Sequence, residues 1–341
     1  MDLGLPGGPS MRTTVIRPDE LGASEEELWC KFQASIPLLD YPWFSLTYIR
    51  AVCRSENGRV AIVEDDGAIR AFIPYTKAVY GEGSTPGGRR SCLDGLISSD
   101  YPINLRPVIR SLGLRGWRFR HAPEGLNSLD PYRYPGSHHE SLIYVADLRD
   151  GYEGYKRSLT KSGAKGVSRA ATSRRSLQRE AGEVSFEWNS KDQSHMSLLF
   201  DWKSSQFDTV RQWWAQPSTK TLLRYLADSD SEDCSGLTSV LYAGTEPISI
   251  VFSLRRGNIL APWVIAYNNE YARFSPGTIE WYSLMEEAAT RGVTSVDFGF
   301  GDFSYKQRFG NSTYTVHGGG VWPSRIESAA RSLYRRARFR D

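Results

Sequence analysis

Residues 272–292, "ARFSPGTIEWYSLMEEAATRG", constrain the fold more tightly than any other stretch. Ser275 stands where a helix N-cap is expected, and Pro276 suits the first helical position. Trp281, Leu284, Met285 and Ala288 then recur at helical spacing until Gly292 ends the pattern. An apolar run with a polar, aromatic ending, "LAPWVIAYNNEY" (residues 260–271), leads into this helix, and "SVDFGFGDFSYKQRFG" (residues 295–310) follows it as the next strand. In that order the helix start, the end of the first strand and the start of the second meet around one cleft. Gly277 leaves the helix start bare, so the amides of Gly277 and Thr278 are expected to face an anion.

The second stretch supplies chemistry for that cleft. Val296, Phe298 and Phe300 alternate with Asp297, Gly299 and Gly301, which predicts a strand over residues 295–300 with one apolar face and a carboxylate beside bare backbone on the other. Asp302 opens a short helical turn, where it suits either an N-cap or a base. General acid–base chemistry needs a proton acceptor, a group that steadies developing negative charge and a proton donor close together. Asp302 or Asp297 fits the acceptor, Lys306 the developing negative charge and Tyr305 the proton donor. Asp302 ranks first, because a strand aspartate is better placed to be buried and to orient.

A chain of 341 residues admits two packed lobes or one enlarged domain. The first half reads as alternating helices and strands. It has a capping-box pattern at Ser24 and Glu27, a helix over "FSLTYIRAVCRS", and a hairpin turn at Asp66-Gly67. A basic helix over residues 152–181 leads into the second half. The net charge of +3 is close to balanced, but Tyr155 to Arg179 carries eight Lys or Arg and no acid, and Arg325 to Arg340 carries six Arg against one Glu. No run approaches the roughly 18 apolar residues of a membrane helix. The amino terminus lacks the basic and apolar order of a secretory signal, and the four cysteines are scattered, so a cytoplasmic location is expected. His138-His139-Glu140 alternates across a strand and predicts no metal site. No Gly-x-Ser-x-Gly or Cys-His pattern supports a hydrolase.

"SPGTIEWYSLMEEAATRG", "VDFGFGDFSYKQRFG" and a closing strand together resemble the carboxyl-terminal region of the bacterial CelD/BcsL-type acetyltransferases. These belong to the Gcn5-related N-acetyltransferase (GNAT) superfamily and are often associated with cellulose or exopolysaccharide production. The resemblance extends through "YPWFSLTYIRA", "SSDYPINL" and the basic link, covering most of residues 25–325, and the layout also resembles the two-lobed FemABX aminoacyl transferases.

The resemblance implies an α/β chain of tandem GNAT-like lobes with mixed sheets. Residues 1–10 are then a disordered lead, 11–150 the first lobe, 151–182 a basic linking helix, 183–323 the lobe with the donor site, and 324–341 a basic carboxyl-terminal helix. It also implies an acyl-coenzyme A, acetyl-CoA or another, in a splayed opening between two central strands with its pyrophosphate at a helix start. Ile265, Ala266, Arg273, Ser275, Pro276, Gly277 and Thr278 are its expected contacts. The chain departs from the usual phosphate loop, since Arg273 and Gly277 are four apart with no second glycine. Expected acceptor contacts are Asp100 and Tyr101, at a family-like position in the first lobe, and Lys203, Trp263 and Arg308 in the second, although Lys203 and its neighbour Trp202 better suit a helix packing face.

Three functions are compatible with these features. The leading one is transfer of an acetyl or related group to an amine or hydroxyl of a sugar or small metabolite. The second is FemABX-like aminoacyl transfer, in which the basic helix holds transfer RNA. The third is a catalytically degenerate protein that binds an anionic ligand or an envelope-synthesis partner. The carboxyl-terminal segment repeats Ile326, Ala330, Leu333 and Ala337 on one helical face, a pattern suited to docking on the protein body, an anion or a membrane surface.

Overall fold

The computed structural model describes residues 11–78, 80–88, 90–99, 103–124, 126, 139–161, 166–206, 216–300 and 304–323, excluding the side chains of His139, Lys161, Ser304 and Tyr305. The expected lead at residues 1–10 and the basic helix at 324–341 lie outside the described residues. Contacts divide the chain into two compact units, Met1–Ser141 with Thr315–Asp341, and Leu142–Tyr314. Each unit is built on a mixed sheet with helices, as an α/β chain of tandem lobes requires.

The first unit contains β1 (Arg12–Ile16), α1 (Ala23–Ser35), α2 (Leu46–Glu56), β2 (Arg59–Asp65), β3 (Ala68–Lys77), β4 (Glu82–Ser84), β5 (Ile97–Ser98), α3 (Leu105–Ser111) and β6 (Gly116–Pro123). It also takes the later residues of the last strand, Ser312–Val321, which pair antiparallel with β6. The order is β1-β2-β3-β4-β6 and then that last strand, with β5 on β3, and the β4–β6 pair is parallel. Asp66 and Gly67 both take positive φ, 49° and 73°, and close the β2–β3 turn as the Asp-Gly signal predicts. α1 begins earlier than its sequence signal: the Gly22 amide donates to the Glu25 carboxylate at 2.7 Å, so Glu25 holds the helix start in place of the expected Ser24 and Glu27. The Ser45 hydroxyl accepts from the Tyr48 amide at 3.0 Å and starts α2. Trp29, Trp43, Phe44, Tyr48 and Phe72 bury their rings in this unit.

The second unit contains the later part of β7 (His139–Asp147), then α4 (Gly151–Lys161), α5 (Gly166–Ala181), β8 (Val184–Glu187), α6 (Gln193–Gln206) and α7 (Pro217–Ala227). β9 (Ser235–Ala243), β10 (Glu246–Arg256), β11 (Ile259–Tyr267), α8 (Pro276–Thr290), β12 (Ser295–Asp297) and α9 (Ser304–Phe309) follow. The strand order is β7-β12-β11-β10-β9-β8. The basic helix expected over 152–181 is described as two helices, α4 and α5, and residues 162–165 lie outside the described residues.

The two faces of this sheet carry different helices. Val251 and its cross-strand partner Ile265 lie on the face that packs with α8, whose Trp281, Leu284, Met285 and Ala288 share a core with Leu260 and Val296. Phe252 and its partner Thr238 lie on the other face, where the Thr238 hydroxyl contacts the Met196 sulfur of α6 at 3.5 Å. Apolar residues at helical spacing along α8 thus fix it over the junction of β11 and β12.

Candidate active site

β11 and β12 run parallel but pair only at Ile259–Ser295 and Leu260–Val296. β12 ends at Asp297, short of the strand expected to reach residue 300, while β11 continues to Tyr267. The strands therefore diverge. A bulge accompanies the divergence: Val264 faces Phe252 and Pro262 faces Ser253, which leaves Trp263 as the extra residue. Bulges bend a strand and re-aim a side chain, and here the Trp263 ring lies 6.3 Å from Phe252, on the α6 face.

Beyond the bulge the antiparallel alternation decides which backbone groups face the opening. Asn268 donates to the Ile248 carbonyl, so Ala266 and Val264 turn to β10, and Ile265 and Tyr267 turn their N–H and C=O to the open side. Two side chains of α6 reach those carbonyls, Lys203 Nζ to Ile265 at 3.0 Å and Gln206 Nε2 to Tyr267 at 3.3 Å. Burial pushes the Lys203 ammonium down to about 8. Of the two residues expected together at the strand edge, Ile265 reaches the opening and Ala266 faces the neighbouring strand.

The start of α8 lies beside the same edge. Ser275 ends a tight helical turn (Asn269–Phe274) in the left-handed region, φ 55° and ψ 54°, and its hydroxyl makes no capping bond, contrary to its expected role. Its carbonyl accepts from the amides of Thr278 (2.9 Å) and Ile279 (3.3 Å). The Thr278 amide is thus committed, and of the two amides expected to meet an anion only that of Gly277 is not spent on Ser275. A Cβ at Gly277 would meet only Ile265 and Tyr267 side-chain carbons at 3.6 and 3.7 Å, which is ordinary contact. Arg273 turns aside, pairing with Glu180 at 2.7 Å over the Phe274 ring.

Where the start of α8 meets α5 and α9, a cavity of about 250 Å³ is lined by Gly166, Arg169 and Ser173, by Ser275 and Thr278, and by Arg308 and Phe309. Arg308, expected at the acceptor, belongs to this cavity. Arg169 and Ser173 were hidden in the basic helix, where the spacing of Gly166, Arg169 and Ser173 on one face was the available signal.

Asp297 and Lys306 hold the turn after β12. Buried Asp297 accepts from the Gly299 amide and from the Tyr314 hydroxyl, each at 2.6 Å. Burial pushes its carboxyl up to about 6, against the Tyr314 and Gly299 hydrogen bonds and the Lys306 charge. Lys306 Nζ donates to the carbonyls of Gly299 (3.0 Å) and Phe300 (2.6 Å). One turn is thus gripped by a carboxylate at its amide and by an ammonium at its carbonyls, with Gly299 at φ 67°. Asp302, Asp100, Tyr101 and the side chain of Tyr305 lie outside the described residues. Among the described residues no group of three or more His, Cys, Asp or Glu could hold a metal ion, and no helix is long and apolar enough to cross a membrane.

Residues 164–307 match the family model of the acetyltransferase (GNAT) domain. The second unit carries an acyltransferase fold. Similar solved structures extend this likeness to the chain as a whole. FemX is 11% identical and aligns over 94% of this chain and 100% of its own at a TM-score of 0.59. The C-terminal domain of a putative lysylphosphatidylglycerol synthetase from Agrobacterium fabrum is 12% identical, over 91% and 95%, at 0.57. A tandem GNAT protein from the clavulanic acid biosynthesis pathway is 8% identical, over 92% and 99%, at 0.52. At these identities the likeness is one of fold. No curated protein matches the chain.

Proposed function

We propose that the chain transfers an acyl group, acetyl foremost, from an acyl-coenzyme A to an amine or hydroxyl of a sugar or small metabolite. The reaction then belongs to exopolysaccharide or cell-envelope synthesis, as in the CelD/BcsL-type acetyltransferases, and takes place in the cytoplasm with no metal. The observation that carries this reading is the opening between β11 and β12, which has the bare start of α8 on one face and Lys203 and Trp263 on the α6 side. Gly277 offers its amide to the donor pyrophosphate and Ile265 its amide to the donor arm. Lys203 and Trp263 line the acceptor side.

Asp302 accepts the acceptor's proton, Tyr305 returns one to the thiolate, and Lys306 steadies charge through the turn it holds. Asp297, bonded at both carboxylate oxygens, orients that turn. Asp302→Asn should lower turnover by roughly 10² while leaving donor affinity and melting temperature in place. Near-normal turnover in that variant removes Asp302 from the chemistry.

A second reading, aminoacyl transfer from transfer RNA, is favoured by the exposed Arg169, Arg175 and Arg179 along α5 and accords with the likeness to FemX and the lysylphosphatidylglycerol synthetase domain. A thermal-shift series with acetyl-CoA, longer acyl-CoAs and aminoacyl-tRNA separates the two, because a ligand that binds only the native state raises its stability. Stabilisation by acetyl-CoA supports the first reading. Stabilisation by aminoacyl-tRNA with no response to any acyl-CoA replaces it with the second.

A further inference from the structure

We propose that the cavity between α5, α8 and α9 binds a phosphate ester group of the donor, apart from the pyrophosphate at Gly277. The proposal rests on the acyl-donor reading above. Its chemistry is common to the 3′-phosphate of coenzyme A and a backbone phosphate of transfer RNA.

Three observations converge on an anion. Two guanidinium groups, Arg169 and Arg308, line the cavity, and no acidic side chain does so among the described residues. The hydroxyls of Ser173, Ser275 and Thr278 add neutral donors, and Ser275 is available because it does not cap α8. The amino-terminal end of this 15-residue helix adds the partial positive charge of its dipole.

The test is calorimetric titration of the full chain with coenzyme A and with 3′-dephospho-coenzyme A, run beside filter binding of aminoacyl-tRNA. Both arginines are exposed, so Arg169→Ala and Arg308→Ala should melt as the parent does. If the 3′-phosphate occupies the cavity, its removal weakens binding to the parent by about tenfold or more. Each arginine variant then loses a similar factor for coenzyme A and almost none for the dephospho form. If the source is transfer RNA, the arginine variants lose affinity and salt dependence for aminoacyl-tRNA alone. The cavity then stands as a phosphate site while the acyl-CoA reading falls. Parental affinity of both arginine variants for every ligand that binds the parent overturns the cavity proposal and leaves the acyl-CoA reading intact wherever coenzyme A still binds.

Discussion

Lys306 illustrates how a residue can stand out in the sequence while its contacts do not. The Tyr-Lys pair after two aspartates drew attention to this stretch, but not to the positive φ of Gly299 or to the Lys306 ammonium's bonds with the Gly299 and Phe300 carbonyls. Replacing it by methionine strands those carbonyls at a cost of about 1–3 kcal/mol each. Lys306→Met should therefore lower the melting temperature as well as turnover, and a loss of turnover with an unchanged melting curve would return the residue to a purely electrostatic role. The burial of Asp297 was legible, because an aspartate on a strand of this kind is expected inside. Its partner Tyr314 was not, since nothing local links positions that far apart. Glu280 was hidden altogether, a charged residue on a polar-looking helix position that turns out fully buried. It lies by the Ser249 hydroxyl and the Leu241 backbone without a well-formed bond, and burial holds its carboxyl well above the ordinary range. For a group raised in this way, the contribution to stability is whole below its unfolded pKa and is lost as pH rises through the folded value. Glu280→Gln should accordingly raise the melting temperature at pH 7 and give no gain at about pH 3.5, where both states are protonated. An equal gain at both pH values would show that charge is not the cause.

At the scale of elements, α8 was the best-read part of the chain because proline, glycine and an apolar stripe all agreed on it. Its cap was misread, because a serine before proline usually caps with its side chain, and here the preceding tight turn forces it into the left-handed region. The strand after it was overextended for a related reason: alternation continues through Phe298 and Phe300, but the Gly299 turn breaks the ladder at Asp297. α5 offers the sharper test of packing. Alanine for glycine at a helical position normally gains up to about 1 kcal/mol. Gly166→Ala should instead destabilise by about 1–3 kcal/mol, because the new methyl meets the Tyr282 hydroxyl at 2.4 Å. In a Tyr282→Phe background the clash disappears, and the same change should become neutral or stabilising. Additive effects in denaturant titrations of the two single variants and the double variant would rule out the contact. Gly277→Ala makes the opposite case, since its methyl finds only ordinary contacts at 3.6 and 3.7 Å. The fold should keep its stability, so any loss of donor affinity in that variant reports the close approach of a ligand to the helix start.

Over the whole molecule, the two units repeat a motif with unequal results. Each has a parallel strand pair that separates, β4 with β6 in the first and β11 with β12 in the second. In the second unit, among the described residues, the edge beyond the junction is met by Lys203 and Gln206 of α6, and an opening remains. In the first, β4 ends at Ser84, and the chain that follows returns along β6. The Asp94 carboxylate accepts from the amides of Arg120 (2.8 Å) and His121 (2.8 Å), and the Asp94 amide donates to the His121 carbonyl at 3.2 Å. A donor arm needs those same backbone groups, so the first unit's edge is already satisfied by its own chain. Local sequence pattern showed two lobes of similar layout but not this difference, which depends on one buried aspartate paired across 26 and 27 residues. The return of the last strand to β6 was illegible for the same reason, as a pairing between opposite ends of the chain. The consequence is a stoichiometry. Titration with acetyl-CoA should saturate at one equivalent per chain, and Gly277→Asp, which sets a carboxylate at the start of α8, should abolish that binding and leave no second, weaker isotherm. Two equivalents in the parent, or one surviving equivalent in the variant, would place a donor in the first unit and contradict the closed edge at Asp94.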